Sequence, residues 1–144
     1  MKIYVDTNIV VANVVESHIH HQPSTRLFDL VIAGRHEAFI SAHGLSEIFS
    51  VLTRTPFIPP LRPAEVWQIL ADDFLPVLNL VELSAVDYRE IVRECAQSGF
   101  GGGRVHDVGH LRAAQKAACQ RIYTFDVKAF QQLAPNLSSR IMTP

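Results

Sequence analysis

Four carboxylates are placed where they could converge and bind a metal ion: Asp6, Glu47, Asp107 and Asp126. Asp6 directly follows the β-rich run 2–5, and Asp126 directly follows the apolar run 121–125. Because the carboxyl ends of parallel strands line one edge of a sheet, acids at two strand ends can lie close together there. Each could instead be only a helix N-cap, a role that needs a single carboxylate oxygen.

Asp107 and Glu47 are both expected on helices, but they lie on different faces relative to the apolar residues. Asp107 shares a helical face with Leu111, Ala114 and Ala118, so its carboxylate is expected to point inward. A buried lone carboxylate is costly unless it is paired, hydrogen-bonded or bound to metal, although a structural acid in a first helical turn remains an alternative. Glu47 lies opposite the apolar stripe of its helix. Taken alone it indicates a solvated side chain, and only its partnership with the other acids makes it a candidate.

Such a cluster of carboxylates needs a cation or shared protons. At ~4 Å and an effective dielectric near 20, two carboxylates repel by about 4 kcal/mol. All-oxygen ligation favours Mg²⁺, with Mn²⁺ as the alternative, over Zn²⁺. Mg²⁺ retains several water ligands, and one of them can serve as the nucleophile in phosphodiester hydrolysis.

The elements that must position these acids alternate between short apolar runs and helical patterns. Strands are predicted at residues 2–5, 38–40, 77–83, 121–125 and, at one edge, 140–142. Helices are predicted at residues 9–16, 25–33, 42–54, 64–75, 86–97, 105–119 and 127–133. This alternation predicts an α/β fold with a mostly parallel central sheet of four to five short strands flanked by helices. We expect one domain over residues 1–144.

The composition sets further bounds. The chain has 144 residues, is 48% hydrophobic and carries a net charge of −1, so it can bury a core and has no general basic surface for a polyanion. Cys95 and Cys119 form no metal-ligand spacing, and Cys119 is expected to be a small buried thiol. No signal peptide or membrane-spanning run is found, so we expect a cytoplasmic protein.

Four segments, spread over most of the chain, resemble a known family. They read VDTNIV around Asp6, SAHGLSEIFSVLTR around Glu47, GGGRVHDVGHLRAA around Asp107 and YTFDVKAF around Asp126. In this order the sequence resembles the PIN-domain ribonucleases, and in particular the VapC-type toxins of bacterial toxin–antitoxin pairs.

The resemblance implies an endoribonuclease that depends on Mg²⁺ or Mn²⁺ and hydrolyses single-stranded or loop RNA. Asp6, Glu47 and Asp107 would hold or orient the metal, and Asp126 would complete the acidic pocket. Asn8 and Thr124 resemble the polar supports of these carboxylates. The resemblance also implies a homodimer and a cognate antitoxin whose tail occupies the cleft.

Several histidines depart from or add to this pattern. His106 and Gly109 stand where such sequences often have an aromatic and a larger aliphatic residue. We interpret His106 and His110, which flank Asp107, as packing variation, with contact to metal, RNA or antitoxin as the alternative. The HxHH cluster at residues 18–21 is interpreted as a mobile loop near the cleft in preference to a metal site.

Basic residues next to the acidic segments are candidates for contacts to RNA phosphate. Arg54 and Arg104 are favoured for this role. Two alternatives to an RNA-cutting enzyme remain open from the sequence. One is a non-catalytic binding module in which the acids are helix caps, and the other is a nuclease that acts on single-stranded DNA.

Overall fold

The computed structural model describes residues 1–144 and has a five-stranded sheet at its centre. The strands are β1 (Lys2–Val5), β2 (Glu37–Ser41), β3 (Leu78–Val81), β4 (Arg121–Tyr123) and β5 (Ile141–Met142). Their order across the sheet is β3-β2-β1-β4-β5, and every neighbouring pair is parallel. The predicted α/β class and the number of strands are confirmed.

Seven α-helices cover the two faces of the sheet. They are α1 (Thr7–Val14), α2 (His21–Ile32), α3 (Ala42–Arg54), α4 (Pro63–Ile69), α5 (Ala85–Ser98), α6 (Arg104–Lys116) and α7 (Val127–Leu133). A π-helical turn, Leu70–Phe74, continues from α4, and a 3₁₀ segment, Pro135–Arg140, precedes β5. No helix is both long enough and apolar enough to cross a membrane.

The central strand β1 is buried on both faces, as expected for a strand inside a parallel sheet. Ile3 and Val5 belong to the core on the side of α1 to α4, whereas Tyr4 belongs to the core on the side of α5 to α7. All three side chains are fully buried. The strand therefore anchors both layers, and it directs the Tyr4 hydroxyl into the layer that contains α6.

The order of the strands places a switch point at the carboxyl ends of β1 and β4. The chain moves from β1 to β2 and β3 on one side, then returns to β4 on the other side of β1. Val5 pairs with Tyr123, and the Asp6 backbone N–H donates to the Tyr123 carbonyl over 3.0 Å. In open parallel sheets ligands bind in the crevice at such a point. Asp6 and Thr124 therefore lie side by side at its floor.

Three helix boundaries differ from the prediction by three residues or more. Helix α2 begins at His21, four residues early, because Pro23 lies in its first turn, where a missing backbone donor is tolerated. The predicted helix 64–75 is interrupted after Ile69, where the π-helical turn begins. Helix α6 ends at Lys116, and Ala118 has a left-handed φ of 54°, so Ala118 does not share the helical face of Asp107. Cys95 and Cys119 are free and buried.

Replacing Gly44 and Gly109 with alanine is expected to change the free energy of unfolding in opposite directions. A Cβ on Gly44 would lie 2.8 Å from Cγ1 of buried Ile40 and 3.2 Å from Cε1 of His110, whereas a Cβ on Gly109 would meet nothing within 4 Å. Gly44→Ala is expected to lower the free energy of unfolding by about 1–3 kcal/mol because it overpacks the core. Gly109→Ala is expected to raise it by about 0.5–1 kcal/mol through helix propensity. Urea unfolding of both variants measures this, and the same sign in both would contradict the packing described for Gly44.

Candidate active site

Asp6 is fixed at both carboxylate oxygens. It is the N-cap residue of α1, where its Oδ1 accepts the Thr7 backbone N–H over 2.7 Å. Its Oδ2 accepts the Thr124 hydroxyl, also over 2.7 Å. Burial raises the pKa of Asp6, and the charge of His110, with the Thr124 and Thr7 bonds, only partly opposes that shift. Asp6 therefore does more than cap a helix, since its second oxygen is held by a different element.

Thr124 and Asn8 join the ends of β1 and β4. The Thr124 hydroxyl oxygen accepts the Asn8 side-chain amide over 3.1 Å and the Asp126 backbone N–H over 3.0 Å. The Asn8 carbonyl oxygen in turn accepts the Phe125 backbone N–H over 3.2 Å. These bonds fix the loop after β4 against the start of α1. Their geometry is that of polar supports for Asp6.

Asp126 occupies the N-cap position of α7 without capping it. Its side chain makes no capping hydrogen bond and is exposed to solvent. The carboxylate instead lines the cleft that also contains Asp6. The capping alternative therefore accounts for part of the geometry of Asp6 and for none of the side-chain geometry of Asp126.

Asp107 lies in the first turn of α6 and is partly buried. Burial and then the charge of Asp6 raise its pKa to about 6, and Asp126 and Glu47 act in the same direction. His110 opposes the shift. The expected inward orientation is thus observed, and both burial and the neighbouring carboxylates disfavour the ionised form of Asp107.

The three aspartates share one cleft of about 250 Å³. Its lining consists of Asp6, Thr7, Asn8, Val11, His18, Val51, Asp107, Asp126 and Phe130. A larger groove, about 570 Å³, lies at the amino ends of the same strands, but Glu37 is the only acid that lines it. Of these two sites, only the cleft at the carboxyl edge of the sheet brings several acids together.

Glu47 contacts this cleft indirectly. Its side chain is 28% exposed, and its Oε1 lies 3.1 Å from Nε2 of His110. Burial would raise the pKa of Glu47, but the hydrogen bond and charge of His110, with the charges of His43 and His106, lower it. The indication of a solvated side chain is wrong, because α6 packs beside this part of α3. Glu47 does not line the cleft with the aspartates.

His110, which the sequence analysis interpreted as packing variation with a functional contact as the alternative, makes polar contacts with the site residues. Its side chain is only 1% exposed, and Nδ1 lies 2.7 Å from the Tyr4 hydroxyl. Nε2 faces Glu47 and also lies 3.7 Å from Oδ1 of Asp6. The Tyr4 oxygen accepts the Ser41 backbone N–H over 2.9 Å, so the ring is held from both sides. His110 therefore makes polar contacts that packing variation alone does not account for.

Carboxylates determine the charge of His110. Burial would lower its pKa, but the hydrogen bond that its Nε2 donates to Glu47 and the charges of Asp6, Glu47 and Asp107 raise it. A protonated imidazole here places one positive charge between Asp6 and Glu47. Its spacing, three residues after Asp107, was the available signal in the sequence. That spacing could not show that Tyr4, from a distant strand, fixes the ring.

The HxHH cluster lies beside the cleft without forming a site of its own. His18 lines the cleft. His20 stacks on Phe125 with the ring centroids 4.1 Å apart, and His21 makes a 3.0 Å hydrogen bond to the Ala12 carbonyl. The three histidines therefore have separate contacts near the start of α2.

Arg54 and Arg104 are both exposed and do not line the cleft. Arg54 is in the last turn of α3, and Arg104 begins α6 with its guanidinium 5.6 Å from the centroid of the Phe100 ring. The two arginines are therefore free to contact a ligand that extends beyond the acidic cleft.

Replacing Asp107 with Asn is expected to stabilise the metal-free protein near neutral pH. An acid whose pKa rises from 3.8 to about 6 on folding opposes folding once it is ionised. After allowance for its partial exposure, Asp107→Asn should raise the free energy of unfolding by about 1–2 kcal/mol at about pH 7. The gain should shrink as the pH falls through about 6 and vanish below 3.8.

Urea unfolding in EDTA at several pH values measures this difference. Asp73→Asn removes an exposed carboxylate at the other end of the sheet and is the matched control. A variant less stable than wild type at neutral pH would show that the contacts of Asp107 outweigh its burial and the repulsion from Asp6.

Comparisons with known proteins agree on one family. The PIN domain profile matches residues 3–135. Ribonuclease VapC40 of Mycobacterium tuberculosis is 33% identical over 128 residues, which cover 88% of this chain and 87% of that protein. Ribonuclease VapC27 of the same species is 31% identical over 126 residues, covering 87% and 85% of the two chains.

Two solved structures share the fold. The crystal structure of Mycobacterium tuberculosis VapC20, a sarcin-ricin loop cleaving toxin, has a TM-score of 0.68 at 20% identity and covers 86% of this chain and 89% of its own. The crystal structure of VapBC2 from Rickettsia felis, bound to a DNA fragment from their promoter, has a TM-score of 0.70 at 20% identity. It covers 99% of this chain and 98% of its own. The profile, the relatives and the architecture together show that this chain belongs to the PIN-domain family and, within it, to the VapC ribonucleases.

Proposed function

We propose that this chain is a Mg²⁺-dependent endoribonuclease, with Mn²⁺ as an alternative cation, and that it acts as the toxin of a toxin–antitoxin pair. The observation that carries the proposal is the convergence of Asp6, Asp107 and Asp126 in one cleft. Burial raises the pKa values of both Asp6 and Asp107, and neighbouring carboxylates add to the shift, so a bound cation would stabilise their ionised forms. The relatives VapC40 and VapC27 are ribonucleases by name.

The donor set fits a hard divalent cation. The three aspartates offer carboxylate oxygens in a cleft large enough for an ion with several waters. We assign Asp6, Asp107 and Asp126 to hold the cation and Glu47 to orient the site through His110. When bound, the cation supplies charge neutralisation at the phosphate and lowers the pKa of a water molecule.

The residues of the chain position the reacting groups. Thr124 and the Thr7 backbone N–H hold the Asp6 carboxylate in one orientation, and Asn8 fixes Thr124. His110 holds Glu47 at the edge of the site and places positive charge beside Asp6. Such preorganisation lets the cleft stabilise the charge that develops in hydrolysis without reorganising.

The proposed substrate is single-stranded or loop RNA. Acids at the floor of the cleft repel a phosphodiester, and a cation held by them would offset that repulsion. Affinity for the rest of the strand must therefore come from outside the cleft. Arg54 and Arg104 are exposed there and are assigned to backbone contacts. The expected products carry 5′-phosphate and 3′-hydroxyl ends.

We further propose a cognate antitoxin and a homodimer as the protein partners. Large apolar side chains remain exposed on this chain, including Trp67 at 56% and Ile58 at 99%. Amphipathic segments of a partner bind through such apolar anchors. Co-purification with the product of a neighbouring reading frame, followed by measurement of the mass of the complex, tests both partners.

The metal requirement is tested with untagged protein freed of metal by EDTA. Cleavage of a labelled single-stranded RNA is expected to require Mg²⁺ or Mn²⁺ and to stop when EDTA is added back. A single-stranded DNA of the same sequence and a fully paired RNA are the matched substrates. Cleavage that persists in EDTA would contradict the cation mechanism. Equal cleavage of the DNA would favour the DNA nuclease, and no cleavage of any substrate would favour the binding module.

A further inference from the structure

A second group of ligating side chains lies on the α3–α6 side of Glu47. His43 and Glu47 are one turn apart on α3, and His106 comes from the first turn of α6. One ligand atom from each of the three residues lies within 4.8 Å of the others. The rings of His43 and His106 are nearly parallel, with an angle of 16° and centroids 4.9 Å apart. Two separate helices therefore bring two imidazoles to one carboxylate.

The pairing of His43 with Glu47 is unlike a hydrogen bond. Nε2 of His43 lies 3.1 Å from Oε1 of Glu47, yet this buried nitrogen has no partner in hydrogen-bond geometry. Metal bonds of about 2.0–2.2 Å, at tetrahedral or octahedral angles, leave neighbouring ligand atoms about 3.0–3.5 Å apart. The 3.1 Å separation falls in this range, and no hydrogen bond within the protein competes with an ion for Nε2 of His43.

The donor set differs from that of the acidic cleft. Two imidazole nitrogens and one carboxylate oxygen suit Zn²⁺ and similar transition metals, whereas Mg²⁺ prefers oxygen alone. Three protein ligands leave a coordination position for water. His110 uses Oε1 of Glu47, and none of the hydrogen bonds of the protein uses Oε2, which is therefore available to a cation.

We propose that His43, Glu47 and His106 form a binding site for a transition-metal dication of the Zn²⁺ class, separate from the all-oxygen site of the three aspartates. Because imidazole lone pairs lie in the ring plane, the exposed ring of His106 must rotate out of its stack on His43 to direct a nitrogen at the ion. The partly buried His43 and Glu47 provide the other two ligands. The site does not depend on the nuclease assignment, because its ligation requires neither RNA nor Asp6, Asp107 or Asp126.

Zinc binding to the untagged full chain tests the proposal directly. Zn²⁺ is titrated against a chromophoric chelator in excess Mg²⁺, so that the oxygen site is already occupied. Wild type is expected to bind one Zn²⁺. His106→Ala should weaken that binding at least about tenfold, and His43→Ala/His106→Ala should abolish it. Co²⁺ in place of Zn²⁺ should give a visible absorption spectrum that the double variant lacks.

Two matched variants separate this site from other sources of binding. His36→Ala removes a histidine at the opposite end of the sheet, and Asp107→Asn alters the acidic cleft; neither should change the Zn²⁺ affinity. Absence of Zn²⁺ binding by wild type overturns the proposal. So does binding that survives in the double histidine variant or is lost with Asp107→Asn. A circular dichroism spectrum of each variant confirms that it is folded.

Discussion

Asp6→Asn is expected to lower the rate of RNA cleavage by about 10³-fold and to leave the protein folded. The carboxylate lies at the switch point of the sheet, and the Thr7 N–H and the Thr124 hydroxyl fix its orientation. Losing one charged ligand removes several kcal/mol of charge stabilisation, at about 1.4 kcal/mol for each factor of ten in rate. The amide keeps the shape of Asp6 and an oxygen for the Thr7 N–H, so local structure should persist.

Single-turnover cleavage at saturating Mg²⁺ measures the chemical step, and calorimetric titration with Mn²⁺ measures the site itself. Asp73→Asn makes the same charge change on the distant surface and should cleave at the wild-type rate. Because burial raises the pKa of Asp6, the metal-free Asp6→Asn protein should be at least as stable as wild type. Cleavage by Asp6→Asn within about tenfold of wild type would remove Asp6 from the proposed mechanism.

The acids at the strand ends could be predicted from the sequence, because the pattern that identifies each of them lies in the neighbouring residues. Asp6 and Asp126 each follow an apolar run directly, and a parallel sheet brings the carboxyl ends of its strands to one edge. Asp107 was predictable because it interrupts an apolar helical face. In each case the residue and the signal lie within a few positions of each other. The Thr124 bond to Asp6, by contrast, became an expectation only through the family resemblance.

The part formed by packing between helices was not predictable in this way. A helical wheel treats the side opposite the apolar stripe as solvent, but α6 covers that side of α3 at Glu47. The close approach depends on Gly44, where a Cβ would lie 3.2 Å from Cε1 of His110. Polar contacts across such an interface carry no periodicity, so His110 and His43 could not be distinguished from surface histidines.

Helix ends show the same limit. Alanine is the strongest helix former, so propensity continues α6 through Ala117 and Ala118. The structure ends the helix at Lys116, and the Cys119 N–H bonds back to the Ala114 carbonyl as Ala118 turns left-handed. This turn directs the chain into β4. The helix must end here because β4 has to enter the sheet, and no glycine or proline at the turn indicates that end in the sequence.

His110→Leu is expected to lower the free energy of unfolding by about 2–4 kcal/mol, because the change leaves buried polar groups without a partner. The Tyr4 hydroxyl loses Nδ1, Glu47 loses its hydrogen bond and Asp6 loses the nearest positive charge. The midpoint of thermal unfolding should fall by roughly 10 °C for a chain of this size. RNA cleavage at a temperature where the variant is folded should fall about 10–100-fold, because Glu47 is no longer oriented.

The stability lost in His110→Leu should depend on pH, because both His110 and Glu47 titrate. The pKa of His110 is raised from 6.5, so its contribution is complete below that value and is lost as the pH rises through the folded-state pKa. The pKa of Glu47 is lowered from 4.5, so its contribution is complete above 4.5 and is lost as the pH falls through the folded-state pKa. The difference between wild type and His110→Leu should therefore be largest between pH 4.5 and 6.5.

His36→Leu is the matched control, since it removes a half-buried histidine whose Nδ1 has no partner at the other end of the sheet. Its free energy of unfolding should change by less than about 0.5 kcal/mol. A double-mutant cycle of His110→Leu with Glu47→Gln isolates the pair, and a coupling of about 1–3 kcal/mol is expected. Additive effects would mean that the 3.1 Å contact contributes nothing to stability. Glu47 would then have to be positioned by α3 alone, and His110 would act on the cleft only through Tyr4 and Asp6.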